Sequence, residues 1–544
     1  LFNKLARYGF WLVVAASGLA ISVRAIYGPV LQLRLNSPMN AAGCFGVALV
    51  LCLVARAQPG GDKPVSDAPH TTRLIWLSAL ALVALTAVVF WRALHFYFLS
   101  DDFIILKAVS SSSRPGLRAL LTATGGDGFY RPLSTLSLAL NAAWAGFDPA
   151  AWHASALALH IANSLLVLGL ALRLCSSRLA ALFAAALFAI HGTRPEAAVW
   201  ISGRPDLLAA FFLLCGLLLF VHSMGQTLAK GRWFRMLSLI SMILAILSKE
   251  VAYVFPLLLL AFLVSVPGVS GKRIGLLAPF FASAAGLFAC RLVLLGGIGG
   301  YKEIGTGQAQ ALELSLMPSL KALLLRLWAA LFFPINWSVQ PGALLAVVMI
   351  GYLCSLIWLA MSGVDRRRLI FPLGFVLICA LPPLHLLLIG ADLMKSRLLY
   401  LPSVGFCLLL ALAVERLRGH TRGAVPGIVV AFNLLALEHN LNVWKYVSEK
   451  SESACVFAAN SIGPTTRKVI VTGLPVDLRG VHFFGNGFPE GVEMQLNRSP
   501  VPIELRQNLE SPAAAEGECW LAWDQCRDEL RFAARKEPLQ ISGN

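Results

Sequence analysis

Two adjacent acids, Asp101 and Asp102, follow directly on an apolar run covering residues 74–99. A carboxylate beside a membrane is costly to desolvate, so two together point to a proton-handling site rather than a solvated face. The plain alternative is a pair of interfacial acids that end a helix. Three more polar clusters stand among apolar stretches. One is Tyr130-Arg131-Pro132-Leu133, leading into a helix with Asn141 and, further on, His153, His160 and Asn163. The next runs from His191, Arg194 and Glu196 to Arg204 and Asp206. The last joins Ser248-Lys249-Glu250 to Arg397, Tyr400 and Ser403. Arginine grips phosphate through paired hydrogen bonds, lysine acts as a point charge, and a carboxylate can take a proton from an attacking hydroxyl. Together they fit transfer from a lipid-linked phosphate donor.

Each cluster also has a structural reading. Arg131, Arg194 and Arg204 could anchor the chain on lipid phosphates. Lys249 and Glu250 could neutralise each other. His153 and His160 lie seven apart on one helix face and have no third ligand nearby, so they read as hydrogen-bonded packing residues and no metal is expected. Asn336-Trp337-Ser338 and Asn497-Arg498-Ser499 match the N-glycosylation pattern, a match too short to be specific.

The elements that must carry these clusters are membrane helices. Of 544 residues, 58% are hydrophobic and only 13% charged, against about 25% charged in soluble domains. Repeated apolar stretches can cross a hydrocarbon core of roughly 30 Å, whereas the alternating code of a membrane barrel is absent. The net charge of +17 gathers in short loops, as the positive-inside rule requires, and no basic stripe interleaves with aromatics. Nucleic acid is therefore not an expected partner. Most of the 11 cysteines lie in or beside apolar helices and show no CxxC spacing; in the polar tail, a Cys519–Cys526 disulfide is open to an oxidising compartment.

Counting basic loops gives about eleven spans after residue 73 and two further candidates before it. The run 10–23 reads as a membrane helix or a signal peptide, and a Pro/Gly/Asp linker covers 58–70. Residues 320–336 break the charge count unless they form a re-entrant or interfacial helix. With that assignment, all four clusters fall on the outer side. The tail from Asn442 turns polar, and its stretches 468–474 and 492–496 alternate like short strands. The expectation is an all-α polytopic membrane protein of about eleven to thirteen transmembrane helices with a small C-terminal α/β or β-rich extramembrane domain. The domains would be 1–72, N-terminal segments and linker; 73–445, the transmembrane catalytic domain; and 446–544, the extracytoplasmic tail.

The series DDF (101–103), YRPLSTLSLALN (130–141), FAIHGTRPEAAVWISGRPDLLAA (188–210), LSKE (247–250) and RLLYLPSVGF (397–406) resembles the transmembrane O-mannosyltransferases that target cadherins. It is also similar to their bacterial relatives among the GT-C glycosyltransferases. The resemblance covers about residues 73–445 and implies a GT-C-like fold. It implies inverting transfer of a sugar, mannose in the family's name, from a polyprenyl-phosphate donor to an acceptor hydroxyl. Asp101 or Asp102 would be the base. Arg194, Arg204, Lys249 and Arg397 would hold the donor, with Tyr130, Arg131, His191, Glu196, Asp206, Glu250 and Tyr400 as further substrate-binding candidates. No metal or other cofactor is implied beyond the lipid-linked sugar phosphate, which is a substrate. The partners would be membrane lipid and an acceptor protein or glycan. The site would face the periplasm from a bacterial inner membrane, or the lumen of the endoplasmic reticulum in a eukaryote. This chain departs from the family's patterns at Gly192, where a proline is lost, at Arg194, where a histidine is lost, and at Ser396, where an acid is lost; the short tail stands where the animal members carry a tetratricopeptide array. The competing readings are a transporter or flippase of lipid-linked sugars, and an inactive scaffold serving as an assembly subunit.

Overall fold

Lipid offers no partner to a backbone N–H or C=O, so apolar runs of membrane length fold as helices. The computed structural model describes residues 38–58, 72–110, 128–266, 271–300, 315–496, 499–507 and 516–533. The N-terminal run 10–23, the linker 59–70, Asn497 and the middle of each of the long loops 101–150 and 297–318 lie outside the described residues. Among the described residues, seven helices are long and apolar enough to cross a membrane: Thr72–His95, Pro149–Leu174, Ile201–Ser223, Leu228–Ser248, Arg273–Leu295, Ala343–Met361 and Thr421–Ser461. Shorter apolar helices, Met39–Ala55, Arg178–Ile190, Glu250–Ser265 and Pro402–Val414, join them. The chain is a mostly helical, multi-pass membrane protein. Every residue of Pro402–Val414 is buried, so this helix is apolar all round because it sits inside the bundle, not because it faces lipid.

The apolar run 74–99 is only partly a membrane helix. Its α-helix ends at Phe90, a tight turn covers Trp91–His95, and residues 96–99 are extended. Phe96 and Phe98 are buried against protein, and Ser451 Oγ donates to the Phe98 carbonyl at 2.9 Å. The segment that broke the charge count is a broken helix, Leu316–Lys321, a π turn Ala322–Arg326 and Leu327–Phe332. Beyond it, the Asn336 N–H donates to Asn440 Oδ1 and its Nδ2 to the Arg479 carbonyl.

The helix Thr421–Ser461 has 41 residues. At 1.5 Å per residue it is about 60 Å long, roughly twice the hydrocarbon core, so it leaves the membrane and enters the tail; residue 445 falls inside it. Near its start, Arg422 donates to Ser177, beside Arg368 and Glu415, an ion pair of 2.8 Å. About 27 Å further on, Asn440 Nδ2 donates to the carbonyls of Gly192 and Pro334. The Arg366–Arg368 cluster and the His191–Glu196 cluster thus lie at opposite ends of the bundle.

The tail is an α/β unit. A four-stranded sheet runs β4 (Ile503–Arg506), β1 (Lys468–Thr472), β5 (Glu518–Asp524), β6 (Glu529–Phe532), parallel except for β6, with Val469 opposite Ile503 and Cys519. Val469 to Thr472 of the central strand are all buried, as a strand covered on both faces requires. A hairpin, β2 (Asp477–Leu478) and β3 (Val481–His482), follows β1. The stretch 492–496, expected as a strand, instead belongs largely to the helix Phe488–Gln495, whose buried residues Phe488, Gly491 and Val492 keep helical spacing. Cys519 and Cys526 are both free. Cys519 is the second residue of β5 and Cys526 lies in the turn beyond it, so an extended strand rising about 3.3 Å per residue holds them too far apart to bridge.

Single cysteines placed at exposed Arg367 and Asp477, in a background without exposed Cys526, test the two-ended arrangement. In intact cells a membrane-impermeant maleimide should label one of the two positions, and permeabilisation should be needed for the other; labelling of both in intact cells would contradict it.

Candidate functional site

Both acids sit in the first turn of the helix Asp101–Ser110. Ser100, just before them, has φ +48°, a left-handed backbone that a residue with a side chain adopts at a cost. Several contacts hold it there. Asp102 Oδ2 accepts from the Leu99 N–H at 3.2 Å and Oδ1 from the Ser202 N–H at 3.0 Å, while Trp200 Nε1 donates to the Leu99 carbonyl at 3.2 Å. Asp102 is 2% exposed. Burial pushes its carboxyl well above the usual carboxylate range, against the pull of those N–H donors and with a push from Asp101. Asp101 is only partly buried, and its Oδ1 accepts from Asn486 Nδ2 at 3.1 Å.

The basic residues divide into two groups. Arg131 makes a forked contact with Glu250, Nε to Oε2 at 2.9 Å and Nη2 to Oε1 at 2.6 Å. Lys249 Nζ donates to both Asp206 oxygens at 2.7 Å. Lys249 and Glu250 therefore each pair with another element and not with one another. Arg397 packs over the Trp200 ring, 4.5 Å from its centroid, with its Nε 3.9 Å from Glu196 Oε1. Glu196 is 3% exposed, its Oε2 accepts from Ser396 Oγ and the Arg397 N–H, and burial raises its carboxyl. An acid at 396 would face this carboxylate, so the serine that departs from the family's pattern suits a buried glutamate at 196.

The second group is more fully buried. Arg194 is fully buried; its Nε donates to the Phe188 carbonyl and its Nη2 to Ser403 Oγ, both at 2.6 Å, between the rings of Phe188 and Tyr400. Tyr400 Oη lies 2.8 Å from His160 Nδ1 and accepts from Asn163 at 3.1 Å. His191 bridges Thr193 and the Leu331 carbonyl, each at 2.9 Å. A Cβ at Gly192 would sit 2.3 Å from the Pro334 oxygen, which accounts for glycine there. Arg204 donates to Asn141 Oδ1 at 2.9 Å and Ser155 Oγ at 2.6 Å. The fold thus gathers Arg131, Asp206, Lys249 and Glu250 in one connected group and Glu196 with Arg397 in another, and buries Arg194, His191, Tyr400 and Arg204 almost completely. Tyr130 is half-buried beside Arg131.

Three residues at this site were not anticipated from the sequence: Trp200, His482 and Asn486. His482, from the tail's hairpin, stacks on Trp200 at 4.6 Å and 22°, with its Nε2 3.7 Å from Glu196 Oε1. Burial, helped by Arg397 and Lys395 and opposed by Asp101 and Asp477, lowers its imidazole to about 4. Trp200 lies within the 188–210 motif, whereas a lone histidine and a lone asparagine in a polar tail carry no signal.

No described protein family's profile matches the whole chain or a part of it. The chain is similar to protein O-mannosyl-transferases. It is 27% identical over 403 residues to protein O-mannosyl-transferase TMTC4 of Mus musculus, covering 62% of this chain and 54% of the relative. It is 37% identical over 117 residues to protein O-mannosyl-transferase tmtc2 of Xenopus laevis, covering 21% and 14%. The chain thus spans about half the length of the mouse relative. Among solved structures, arabinofuranosyltransferase AftD from Mycobacteria matches with a TM-score of 0.46 and 14% identity, covering 82% of this chain and 32% of that one.

Two predictions follow from the pairing. Asp206→Asn leaves a buried lysine without its counter-charge, a change that costs about 3–5 kcal/mol; melting of the purified protein in detergent should fall sharply, and Asp206→Asn with Lys249→Met should recover part of the loss. His482 titrates near 6.5 when undocked and at about 4 when docked. The undocked state therefore binds the extra proton between those values, and docking weakens as pH falls through that window. Proteolysis of the 477–488 segment should quicken there, and His482→Gln should flatten the trend.

Proposed function

We propose that this chain is an inverting GT-C-type glycosyltransferase, moving a sugar from a polyprenyl-phosphate donor to an acceptor hydroxyl at the outer membrane face. The observation that carries this reading is the division of the acid pair. Asp102 is spent on backbone N–H groups and buried, whereas Asp101 is partly exposed and keeps Oδ2 free of any partner among the described residues. Asp101 is therefore the base and Asp102 the residue that fixes the turn. Asp101 takes the acceptor's hydroxyl proton as the oxygen attacks the sugar's anomeric carbon. The bond from that carbon to the phosphate oxygen breaks on the opposite face, and the phosphate leaves on its polyprenol.

The basic residues support a phosphate donor. Arg131, Lys249 and Arg397 line this end of the bundle, and Arg194 and Arg204 have only neutral hydrogen-bond partners among the described residues, which leaves those two cations without a contacting carboxylate. Arg397 and Lys249 hold the donor phosphate; Arg194, His191 and Tyr400 keep the loop that carries Glu196 in place. Tyr130 and Arg131 border the donor's sugar, and Asp206, Glu196 and Glu250 orient the cations. The names of the similar proteins make mannose the first sugar to test. The site faces the periplasm, or the lumen in a eukaryote, because the basic loops cluster at the other end. No metal takes part.

The test supplies the lipid-linked sugars that accumulate in cells lacking the chain to membranes carrying the parent, Asp101→Asn or Asp102→Asn. Asp101→Asn should lose transfer by about 10²–10⁴-fold while inserting normally. Asp102→Asn should keep more activity and melt lower, and EDTA should leave the parent unaffected. Transfer at the parental rate by Asp101→Asn would overturn the assignment of the base, and an inactive parent would favour a scaffold.

A further inference from the structure

The tail touches the acid pair through one short segment, residues 481–488. Asn486 Nδ2 donates to Asp101 Oδ1 at 3.1 Å. Gly487, at φ +83°, lies so close that a Cβ there would stand 2.2 Å from the Ser100 oxygen. Phe484 stacks on Phe103, the residue after the acids, at 6.1 Å and 23°. Around these contacts, Gln495 donates to Tyr97 Oη at 2.6 Å, Lys107 pairs with Glu493 at 2.7 Å, and Ser451 holds the Phe98 carbonyl. The backbone is tied on both sides of Asp101, yet among the described residues the carboxylate itself has a single anchor, and that anchor comes from the tail.

We infer that Asn486 is a positioning residue for Asp101, and that the C-terminal unit is thereby part of the active site. A carboxylate on a partly exposed side chain rotates about two bonds. An amide donor fixed on a folded unit pins one oxygen through a charge-assisted hydrogen bond and leaves Oδ2 to receive the acceptor's proton. Proton transfer demands that alignment at the moment of attack, so the contact bears on turnover rather than on donor affinity. The glycine after it is what allows the approach: any side chain at 487 would drive the segment away from Ser100 and carry the amide with it. The inference rests on Asp101 being the base proposed above.

The experiment measures kcat and donor KM in membranes of cells lacking the chain, with their accumulated polyprenyl-phosphate sugars as donor. Variants are Asn486→Ala, Asn486→Gln, Gly487→Ala and Asp101→Asn, each normalised to correctly inserted protein. Asn486→Ala should lower kcat about ten- to a hundredfold with donor KM within about twofold. Asn486→Gln, which keeps an amide donor, should recover part of the loss, and Gly487→Ala should behave as Asn486→Ala. If Asp101→Asn abolishes transfer but Asn486→Ala keeps parental kcat, or changes KM alone, the positioning role is overturned and the base assignment stands. Parental transfer by Asp101→Asn removes both. Should Asn486→Ala fail to insert, Asn486→Gln decides: a kcat no better than that of Gly487→Ala overturns the role of the amide.

Discussion

A charge taken out of water must find its counter-charge inside the protein, and at the edge of a membrane no solvent corrects a mismatch. The face of this bundle that carries the acids is arranged around that constraint. Lys249 and Glu250 are neighbours at the end of the helix Leu228–Ser248, but they reach in different directions, to Asp206 at the head of one helix and Arg131 at the head of another. Two ion pairs on consecutive residues fix three helix ends at one level. The Ser134 hydroxyl adds a bond to the Ser248 carbonyl at 2.8 Å. Because each partner comes from a different helix, breaking one pair would disturb the level of all three.

The exceptions to the rule are informative. Arg194 and Arg204 are buried and meet carbonyls, hydroxyls, an amide and aromatic faces, but no carboxylate among the described residues. Such partners satisfy donors without cancelling charge. Two guanidinium groups held this way carry a charge that no carboxylate among the described residues offsets by direct contact.

What could be read from the sequence follows from contrast. In a chain so poor in charge, Asp101, Asp102, Arg131, Glu196, Arg204, Asp206, Lys249, Glu250 and Arg397 are conspicuous, and length alone marks most of the helices. Contrast also set the limit. Hydropathy does not distinguish lipid from protein interior, so residues 96–99 read as membrane although Tyr97 and Phe98 are held by the tail. In 492–496, alternating apolar residues suit a short strand as well as one turn of helix, and only the burial of Phe488, Gly491 and Val492 distinguishes them. His482 and Asn486 lie among many polar residues, where one more attracts no notice; their importance comes from contacts with Trp200 and Asp101, far away in the chain.

Asp101 and Asp102 show why composition alone could not assign their roles. They are identical in chemistry and adjacent in sequence, yet one turn of strained backbone at Ser100 sends them into different environments. One accepts backbone N–H groups in a buried niche; the other is partly exposed, with one oxygen held and the other without a partner among the described residues. A conformation as unfavourable as that of Ser100 persists only where its surroundings over-determine it. Here they come from two sides: Trp200 and Ser202 of the membrane bundle, and Gly487 and Phe484 of the tail. The difference between the two acids is therefore a property of the interface between bundle and tail, and a bundle without its tail would lack half of what separates them.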